Sequence, residues 1–217
     1  GQKKWAFVTS ATWSDFDDLK AGSNGNSYFL RPVYQKTENG VDVTVENEDP
    51  KKQVYSGYSQ YSLLQKIAFK PSANAELDYS FYYSGTSDAP RYDRLYLTGE
   101  EENLVNAEWY YGPQQWMMNR LAAKFRSDKG IFNQFRIVAA HQLYRESRHD
   151  RKMNNKRLRN QHEEVNAFSL NLDLDKKLND KLTLFYGGEA VHNKVGSEAN
   201  RKHIETGEVS PVNTRYP

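Results

Sequence analysis

Apolar and polar residues alternate with period two along much of the chain, most clearly in the stretch "VNAFSLNLDLDKKLNDKLTLFYGGEAVH". One face of its first run carries Phe168, Leu170, Leu172 and Leu174, with polar residues between them. After a short charged hinge the alternation resumes at Leu182, Leu184 and Tyr186. Period two is typical of a β-strand, so the stretch predicts two antiparallel strands joined as a hairpin.

The same alternation predicts about seven strands in all. The other five lie in "KKWAFVTSATW", "SQYSLLQKIAFK", "ELDYSFYYS", "EWYYGPQQWMMNRLAAKFR" and "IFNQFRIVAAHQLY". A small extra hairpin is expected around Asn39-Gly40, because Asn-Gly between alternating residues favours a tight turn.

The connections between these strands are alternately short and long. "PSANA", "SDKG" and "KKLND" are short turns, whereas long polar segments precede Ser56, precede Asn106 and form "RESRHDRKMNNKRLRNQHEE". Long loops at one end and short turns at the other are typical of outer-membrane barrels. The pattern therefore predicts an all-β, antiparallel up-and-down meander that is a segment of a transmembrane β-barrel, with long extracellular loops and short periplasmic turns.

Aromatic residues near the long-loop ends of the strands agree with this interpretation. Trp109, Tyr110, Tyr111, Tyr82 and Tyr83 occupy such positions. Aromatic rings with a polar tip form girdles where lipid headgroups meet hydrocarbon. Tyr and Trp are also common in the strands of any β protein, so the aromatic residues by themselves do not decide between the two environments.

Composition removes several classes of function. The chain has 217 residues, no cysteine, a net charge of +2 and a mean hydropathy of −0.91. No apolar run approaches the ~20 residues of a membrane-spanning helix, and no global positive field favours nucleic acid. The absence of cysteine excludes disulfides and thiolate metal sites. The first residues, "GQKKWAFVTS", contain no signal peptide, and both ends of the sequence have the character of a piece of a longer protein.

Several phrases resemble the barrel of TonB-dependent outer-membrane receptors of Gram-negative bacteria. They are "YSQYSLLQKIAFKPSANAELDYSFYYSGTSDAPRYDRL", "AEWYYGPQQWMMNRL", "ESRHDRK", "AFSLNLDLDKKL" and the final "ETGEVSPVNTRYP". Together they cover nearly the whole chain. They are strand and loop phrases without a catalytic motif, so they indicate an architecture more specifically than a ligand.

The resemblance implies that residues 1–217 are a partial barrel, without the plug domain, signal peptide and remaining strands of the 22-stranded family fold. It implies a parent receptor in the outer membrane that captures a scarce ligand and imports it with energy transmitted by TonB. The implied partners are TonB, the plug domain, outer-membrane lipid and a ligand such as a siderophore, haem, cobalamin or a glycan. Nucleic acid is not an expected partner, and no cofactor is expected.

Candidate ligand contacts come mainly from the basic segment "RESRHDRKMNNKRLRNQHEE". Arginine pairs bidentately with carboxylates and phosphates, so an exposed basic loop suits an anionic ligand. We expect Arg148, His149, Arg151 and Trp109 to contact ligand. A solvated basic loop without a specific ligand remains an alternative interpretation.

Metal-binding and catalytic patterns are not found in the sequence. The five histidines have no metal-type spacing, and the acidic residues Asp15, Asp17 and Asp18 lack the spacing and glycine of a calcium loop. No serine, cysteine, metalloprotease or phosphate-loop motif is present, so neither a metal site nor an enzyme is expected.

Two other classes of function stay open at this level. The first is a soluble or surface-attached antiparallel β protein that binds a glycan through aromatic residues. The second is a structural β protein without a small-molecule ligand. Gln65 and Asn119 fall on the apolar sides of their strands and count against a lipid-facing surface.

Overall fold

The structure is a computed structural model that describes residues 4–99 and 102–216. Its strands are β1 (Trp5–Phe16), β2 (Val33–Glu38), β3 (Val41–Glu46), β4 (Tyr58–Ser72), β5 (Ala75–Thr86), β6 (Ala89–Pro90), β7 (Asn106–Tyr111), β8 (Gln115–Arg126), β9 (Gln134–Lys152), β10 (Arg157–Asn179), β11 (Leu182–His203) and β12 (Val209–Pro211). Two short helical segments accompany them, a 3₁₀ turn at Ser27–Phe29 and α1 at Tyr92–Leu95. No helix in the described ranges is long and apolar enough to cross a membrane.

The main sheet has ten strands, and seven long ones follow one another in chain order. The path is β1-β4-β5-β8-β9-β10-β11-β12, every neighbouring pair is antiparallel, and β6 and β7 join through the distal part of β9. The predicted all-β antiparallel meander is therefore confirmed. The sheet is open, with no closed barrel among residues 4–99 and 102–216. The first predicted strand was placed from Lys3, which lies outside the described residues.

The two ends of the sheet differ in their connections. At one end, β4 and β5 are joined through Ala73 and Asn74, and β10 and β11 through Asp180 and Lys181. The segment 127–133 joins β8 to β9 at the same end. At the other end, residues 17–57 contain the predicted Asn39-Gly40 hairpin, formed by β2 and β3. Residues 87–114 contain β6, α1 and β7.

The prediction of a third long loop at 145–164 is wrong. This segment is strand except for the turn at residues 153–156, and β9 and β10 are 19 and 23 residues long. Both faces of the hairpin are polar here, so the alternation that identifies a strand is hidden. Cross-strand pairs replace apolar contacts, as in Arg145 Nε to Glu164 Oε2 (2.6 Å) and Arg159 Nη2 to Asp150 Oδ1 (2.7 Å).

Side chains that point to one side of the seven long strands form a continuous apolar face. Directly paired residues share a face, so the registers bring together Phe69, Leu77, Ala123, Ile137 and Leu172 in one row across five strands. Neighbouring rows add Trp5, Phe7, Trp13, Tyr61, Leu63, Ile67, Tyr79, Phe81, Tyr83, Met117, Leu121, Phe125, Phe135, Leu143, Phe168, Leu170, Leu174 and Tyr186.

Charged side chains lie on the opposite, polar face over these same rows. Arg120 pairs with Asp78 there, and Arg126 Nη1 lies 3.0 Å from Glu76 Oε1. The two polar residues that the sequence places on the apolar face are hydrogen-bonded within it. Thr9 Oγ1 donates to Gln65 Oε1 at 2.6 Å, and the Tyr79 hydroxyl donates to Asn119 Oδ1 at 2.6 Å. These bonds lower the cost of placing the two amide oxygens in apolar surroundings.

The sheet has almost no core of its own, because nothing packs on its apolar face in the described part of the chain. Leu121 is 58% exposed and Phe168 is 52% exposed. Of the four buried hydrophobic residues in the ranges 4–99 and 102–216, three belong to the segment that follows β5, namely Leu95, Leu104 and Ala107. We call the segments 17–57 and 87–114, together with residues 146–163 of the β9–β10 hairpin, the distal layer.

Candidate functional site

Two arginines and two aromatic rings meet on the polar-face side of the distal layer. Trp109 and Tyr111 alternate on β7, with ring centroids 5.0 Å apart in an edge-on arrangement. Arg148 of β9 is the cross-strand partner of Tyr111, and its guanidinium lies 5.3 Å from the Tyr111 ring and 5.9 Å from the Trp109 ring. Arg91 lies over the same two rings, at 4.8 Å from Trp109. We call these four residues the cationic–aromatic cluster.

The backbone places Arg91 in the cluster. Its N–H donates to the carbonyl of Trp109 at 3.0 Å, just beyond the short β6–β7 pairing. Arg91 also forms a bidentate pair with Asp93, and its Nη1 donates to the Tyr111 hydroxyl at 3.2 Å. The hydrogen bonds to Asp93 raise the pKa of Arg91, so this residue stays charged at every relevant pH.

Arg148 differs from Arg91 because it has no carboxylate partner within the described residues. Its Nε is buried and has no hydrogen-bond partner there. A guanidinium beside two rings and without a salt bridge can pair with a carboxylate or phosphate of a ligand. The nearby carboxyl of Glu163 offsets part of this charge, since the charge of Arg148 acts to lower the pKa of Glu163. The cluster can therefore provide one positive charge for an incoming anionic group, next to an aromatic surface.

Two acidic residues lie beside the cluster on the same face. Glu163 of β10 is directly opposite Glu146 of β9 and is nearly fully buried, and its Oε1 has no hydrogen-bond partner in the described part of the structure. Burial, and then the negative charge of Glu146, raise the pKa of the Glu163 carboxyl. The hydroxyl of Ser197, the partner of Glu163 on β11, is also buried and unpartnered among these residues.

His149 lies on the opposite side of the sheet from Arg148. Its ring stacks on Tyr110 with centroids 4.6 Å apart, and its Nδ1 lies 2.6 Å from Asn160 Oδ1. Burial raises the pKa of Tyr110 to about 12, so this phenol remains protonated. Tyr110 and His149 line a cleft of about 720 Å³ whose lining includes Glu146 and Glu163 but none of the four residues of the cationic–aromatic cluster. The four predicted contacts are therefore not brought together.

Arg151 is a structural residue, which corrects its expected role in ligand contact. It is 1% exposed, and all five of its N–H groups donate. Nε bonds Glu108 Oε1 at 2.7 Å, while Nη1 and Nη2 bond both oxygens of Asp42 at 2.7 and 2.8 Å. The remaining donors bond Thr37 Oγ1 and the carbonyl of Asn155 at 2.8 Å. A guanidinium with no free donor cannot bind a ligand without losing these bonds.

Asp42 is the main partner of Arg151 and sits on the small β2–β3 hairpin. Burial opposes its ionisation, but the hydrogen bonds from Arg151 and Thr37 outweigh that effect, so the pKa of Asp42 lies below its ordinary value. We call Arg151, Asp42, Glu108 and Thr37 the Arg151 cluster. It fixes the hairpin against β9 and so holds the distal layer in place above the sheet.

Trp109 and Arg148 are the predicted residues that the structure brings together. Arg91 was missed, and Tyr111 was identified only as an aromatic residue near the long-loop end of its strand, although its period-two relation to Trp109 in "EWYYG" places both rings on one face. Among residues 4–99 and 102–216, no group of three His, Cys, Asp or Glu side chains is arranged to hold a metal ion. Asp18 instead accepts hydrogen bonds from the backbone N–H groups of Ser56 and Gly57.

The similarity of the chain to known proteins does not add to this picture. No protein-family model matches the chain, and no curated protein is similar to it. The functional interpretation therefore depends on the two faces of the sheet and on the cationic–aromatic cluster.

Proposed function

We propose that the chain forms part of the wall of an outer-membrane receptor of the TonB-dependent kind, with its apolar face in contact with lipid. The supporting observation is the distribution of charge. Along each of the seven long strands, at least nine consecutive residues place no Asp, Glu, Lys or Arg on the apolar face. These runs are 5–13, 61–69, 77–85, 117–125, 135–143, 166–174 and 182–192. The runs are staggered, so that Lys194, Arg145 and Glu164 lie just beyond them on β11, β9 and β10. A charge on a lipid-facing strand costs about 2–4 kcal/mol near the midplane, so such exclusion is what a membrane wall requires.

The height of the apolar face supports the same proposal. On β4 it runs from Tyr61 to Phe69, which is nine residues and about 27 Å along the strand. A transmembrane β-strand needs about 9–11 residues at its usual tilt. The long connections and the distal layer then lie outside the bilayer, and the polar face is directed to the interior of the receptor.

Ligand capture is assigned to the cationic–aromatic cluster, because it lies on the polar-face side and contains the unpaired Arg148. An anionic group of the ligand binds the Arg148 guanidinium, and Trp109 and Tyr111 hold that guanidinium in position. Energy from TonB and movement of a plug domain would then complete import in the parent receptor. Siderophore, haem, cobalamin and glycan ligands all remain within this proposal.

A pair of neighbouring substitutions tests the lipid contact. Leu170 and Asn171 are adjacent on β10 and point to opposite faces. Leu170→Arg should lower the folded fraction in lipid vesicles by the ~2–4 kcal/mol expected for a lipid-facing cation, whereas Asn171→Arg should change it little. Equal effects of the two substitutions, together with a detergent-free monomer in light scattering, would contradict the proposal and favour the soluble glycan-binding alternative.

A second pair of variants tests the ligand-binding assignment. Titration with citrate or pyrophosphate as anionic probes should change the fluorescence of Trp109 in the wild-type chain. Arg148→Gln should remove most of that change. Arg136→Gln is the matched control, because Arg136 lies on the same strand and face but far from Trp109. A response that survives Arg148→Gln would overturn the assignment.

A further inference from the structure

A small cavity lies inside the distal layer, where the segment 17–57 meets α1. Its volume is about 20 Å³. Arg31, Gln35 and other residues of the segment 17–57 form one wall, and Tyr92, Leu95 and Tyr96 form the other. A cavity needs ~10–15 Å³ to hold a water molecule, so this one is suited to a single water molecule or a single monatomic ion.

Two residues that line this cavity have buried donors without a hydrogen-bond partner in residues 4–99 and 102–216. The donors are Nε of Arg31 and Nε2 of Gln35, and Gln35 is only 3% exposed. Arg31 Nη1, by contrast, donates to the carbonyls of Tyr28 and Leu30, both at 3.1 Å. Leaving a buried donor without an acceptor is costly, so two such donors at one cavity indicate an acceptor that they share.

The other amide side chains at the cavity hold the backbone of the loop. Asn47 Nδ2 donates to the carbonyls of Arg31 and Lys52, at 2.8 and 3.0 Å. Gln53 Nε2 donates to a backbone carbonyl at 3.0 Å. Neither side chain accepts a hydrogen bond from Arg31 Nε or Gln35 Nε2. The described part of the chain therefore does not supply the shared acceptor.

The charge at the cavity favours an anion as that acceptor. No Asp or Glu of the described ranges lines the cavity, whereas Arg31 contributes a positive charge. The guanidinium carbon of Arg31 lies 3.7 Å from the centroid of the Tyr96 ring, which holds the guanidinium plane in position. Water could accept both hydrogen bonds, but an anion also neutralises the charge and makes the bond to Arg31 stronger.

We propose that the cavity binds one monatomic anion, chloride under ordinary conditions, between Arg31 and Gln35. The anion accepts hydrogen bonds from Arg31 Nε and Gln35 Nε2. Gln35 lies two residues from Thr37 on the same face of β2, and Thr37 belongs to the Arg151 cluster. The anion therefore fixes the β2–β3 hairpin at a second point, beside that cluster. This site does not depend on contact between the sheet and lipid.

Hydrogen exchange of the full chain in detergent tests the proposal, with gluconate replaced stepwise by chloride at constant ionic strength. The two anions carry the same charge, but gluconate is too large for the cavity. When chloride reaches about five times its dissociation constant, the amides of β2 and β3 should exchange roughly sixfold more slowly, because the ion binds only the closed state. The amides of β5 should not respond, which separates a local site from a general effect of salt.

Three variants assign the effect to the cavity. Gln35→Glu has nearly the same shape and places a fixed carboxylate where the anion binds, so β2 and β3 should be protected without chloride and should no longer respond to it. Arg31→Gln removes the positive charge and should abolish the response. Lys36→Gln is the matched control and should respond like the wild type, because Lys36 is adjacent to Gln35 on β2 but its side chain is exposed.

Bromide provides a direct readout that needs no variant, so it decides the question even where Arg31→Gln does not fold. Crystals soaked in bromide should show an anomalous difference peak between Arg31 Nε and Gln35 Nε2. Equal chloride responses in the wild type and in Arg31→Gln would overturn the site. Equal protection of β2 and β3 in chloride and gluconate, without a bromide peak, would also overturn it and would identify water as the acceptor.

Discussion

The seven long strands and the distal layer differ in what stabilises them. In the long strands, order comes from backbone ladders and cross-strand pairs, and large apolar side chains such as Leu121 and Phe168 remain exposed. In the distal layer, buried polar groups are paired around Arg151, while Arg148 Nε and Glu163 Oε1 are buried without a partner among the described residues. The sheet therefore leaves its apolar side chains without a core of their own, whereas the distal layer satisfies most of its polar groups internally, and the proposed contact with lipid would account for this difference.

The largest expected effect is on the distal layer. Arg151→Ala should destabilise it by about 3–5 kcal/mol, because Asp42 and Glu108 lose their partner, and Asp42 is buried. Hydrogen exchange should show the loss first in β2 and β3. Arg145→Ala is the control on the same strand, since its pair with Glu164 is exposed and should contribute much less. If the backbone amides of β2 and β3 were equally protected from hydrogen exchange in Arg151→Ala and Arg145→Ala, the central role of the Arg151 cluster would be contradicted.

Two adjacent glycines on β11 provide a comparison within the sheet. A Cβ at Gly187 would lie 2.0 Å from the backbone oxygen of Leu172, whereas one at Gly188 would meet nothing within 4 Å. Gly187→Ala should therefore loosen the β10–β11 pairing by about 1–3 kcal/mol, while Gly188→Ala should be neutral or slightly stabilising. Thermal unfolding in detergent measures both, and a greater loss at Gly188 would show that the pairing register is different.

The smallest expected effect is on how the free energy of unfolding changes with pH, and it concerns the neighbouring residues Glu163 and Glu164. Burial raises the pKa of Glu163 in the folded protein, so its contribution to stability falls as the pH rises from the ordinary glutamate range through the raised value. Glu163→Gln should therefore make stability less sensitive to rising pH. The hydrogen bond from Arg145 lowers the pKa of Glu164 in the folded protein, so the contribution of Glu164 to stability is lost as the pH falls. Glu164→Gln should therefore make stability less sensitive to falling pH.

Urea unfolding at a series of pH values measures this pair of variants. The Glu163→Gln curve should rise above that of the wild type towards neutral pH. Curves of the same shape for the two variants would show that Glu163 is not buried beside Glu146 as described.

The sequence predicted the sheet better than it predicted the distal layer. Alternation at Phe168, Leu170, Leu172 and Leu174 is visible because one face is apolar and the other is polar. Residues 145–164 are polar on both faces, so the same backbone conformation was interpreted as a loop. Where ion pairs replace apolar contacts between strands, the sequence lacks the alternation of apolar and polar residues that identifies a strand.

The candidate site was only partly predictable for a related reason. Arg151 and Asp42 are separated by 109 residues, and nothing near either of them indicates that they pair. An exposed, ligand-binding role for Arg151 followed from its basic neighbours, which the structure distributes between two faces. Arg91 joins Trp109 and Arg148 through a backbone hydrogen bond formed by the short β6–β7 pairing, which the sequence did not indicate.

The most direct test of the central claim is a spin-label scan along β9 in lipid vesicles. The chain has no cysteine, so single cysteines can be placed from Phe135 to His149 without other changes. Oxygen accessibility should peak at every second position from 135 to 143, and accessibility to a water-soluble nickel complex should replace it beyond Arg145. Uniform accessibility to the nickel complex along the whole strand would show that the apolar face does not meet lipid.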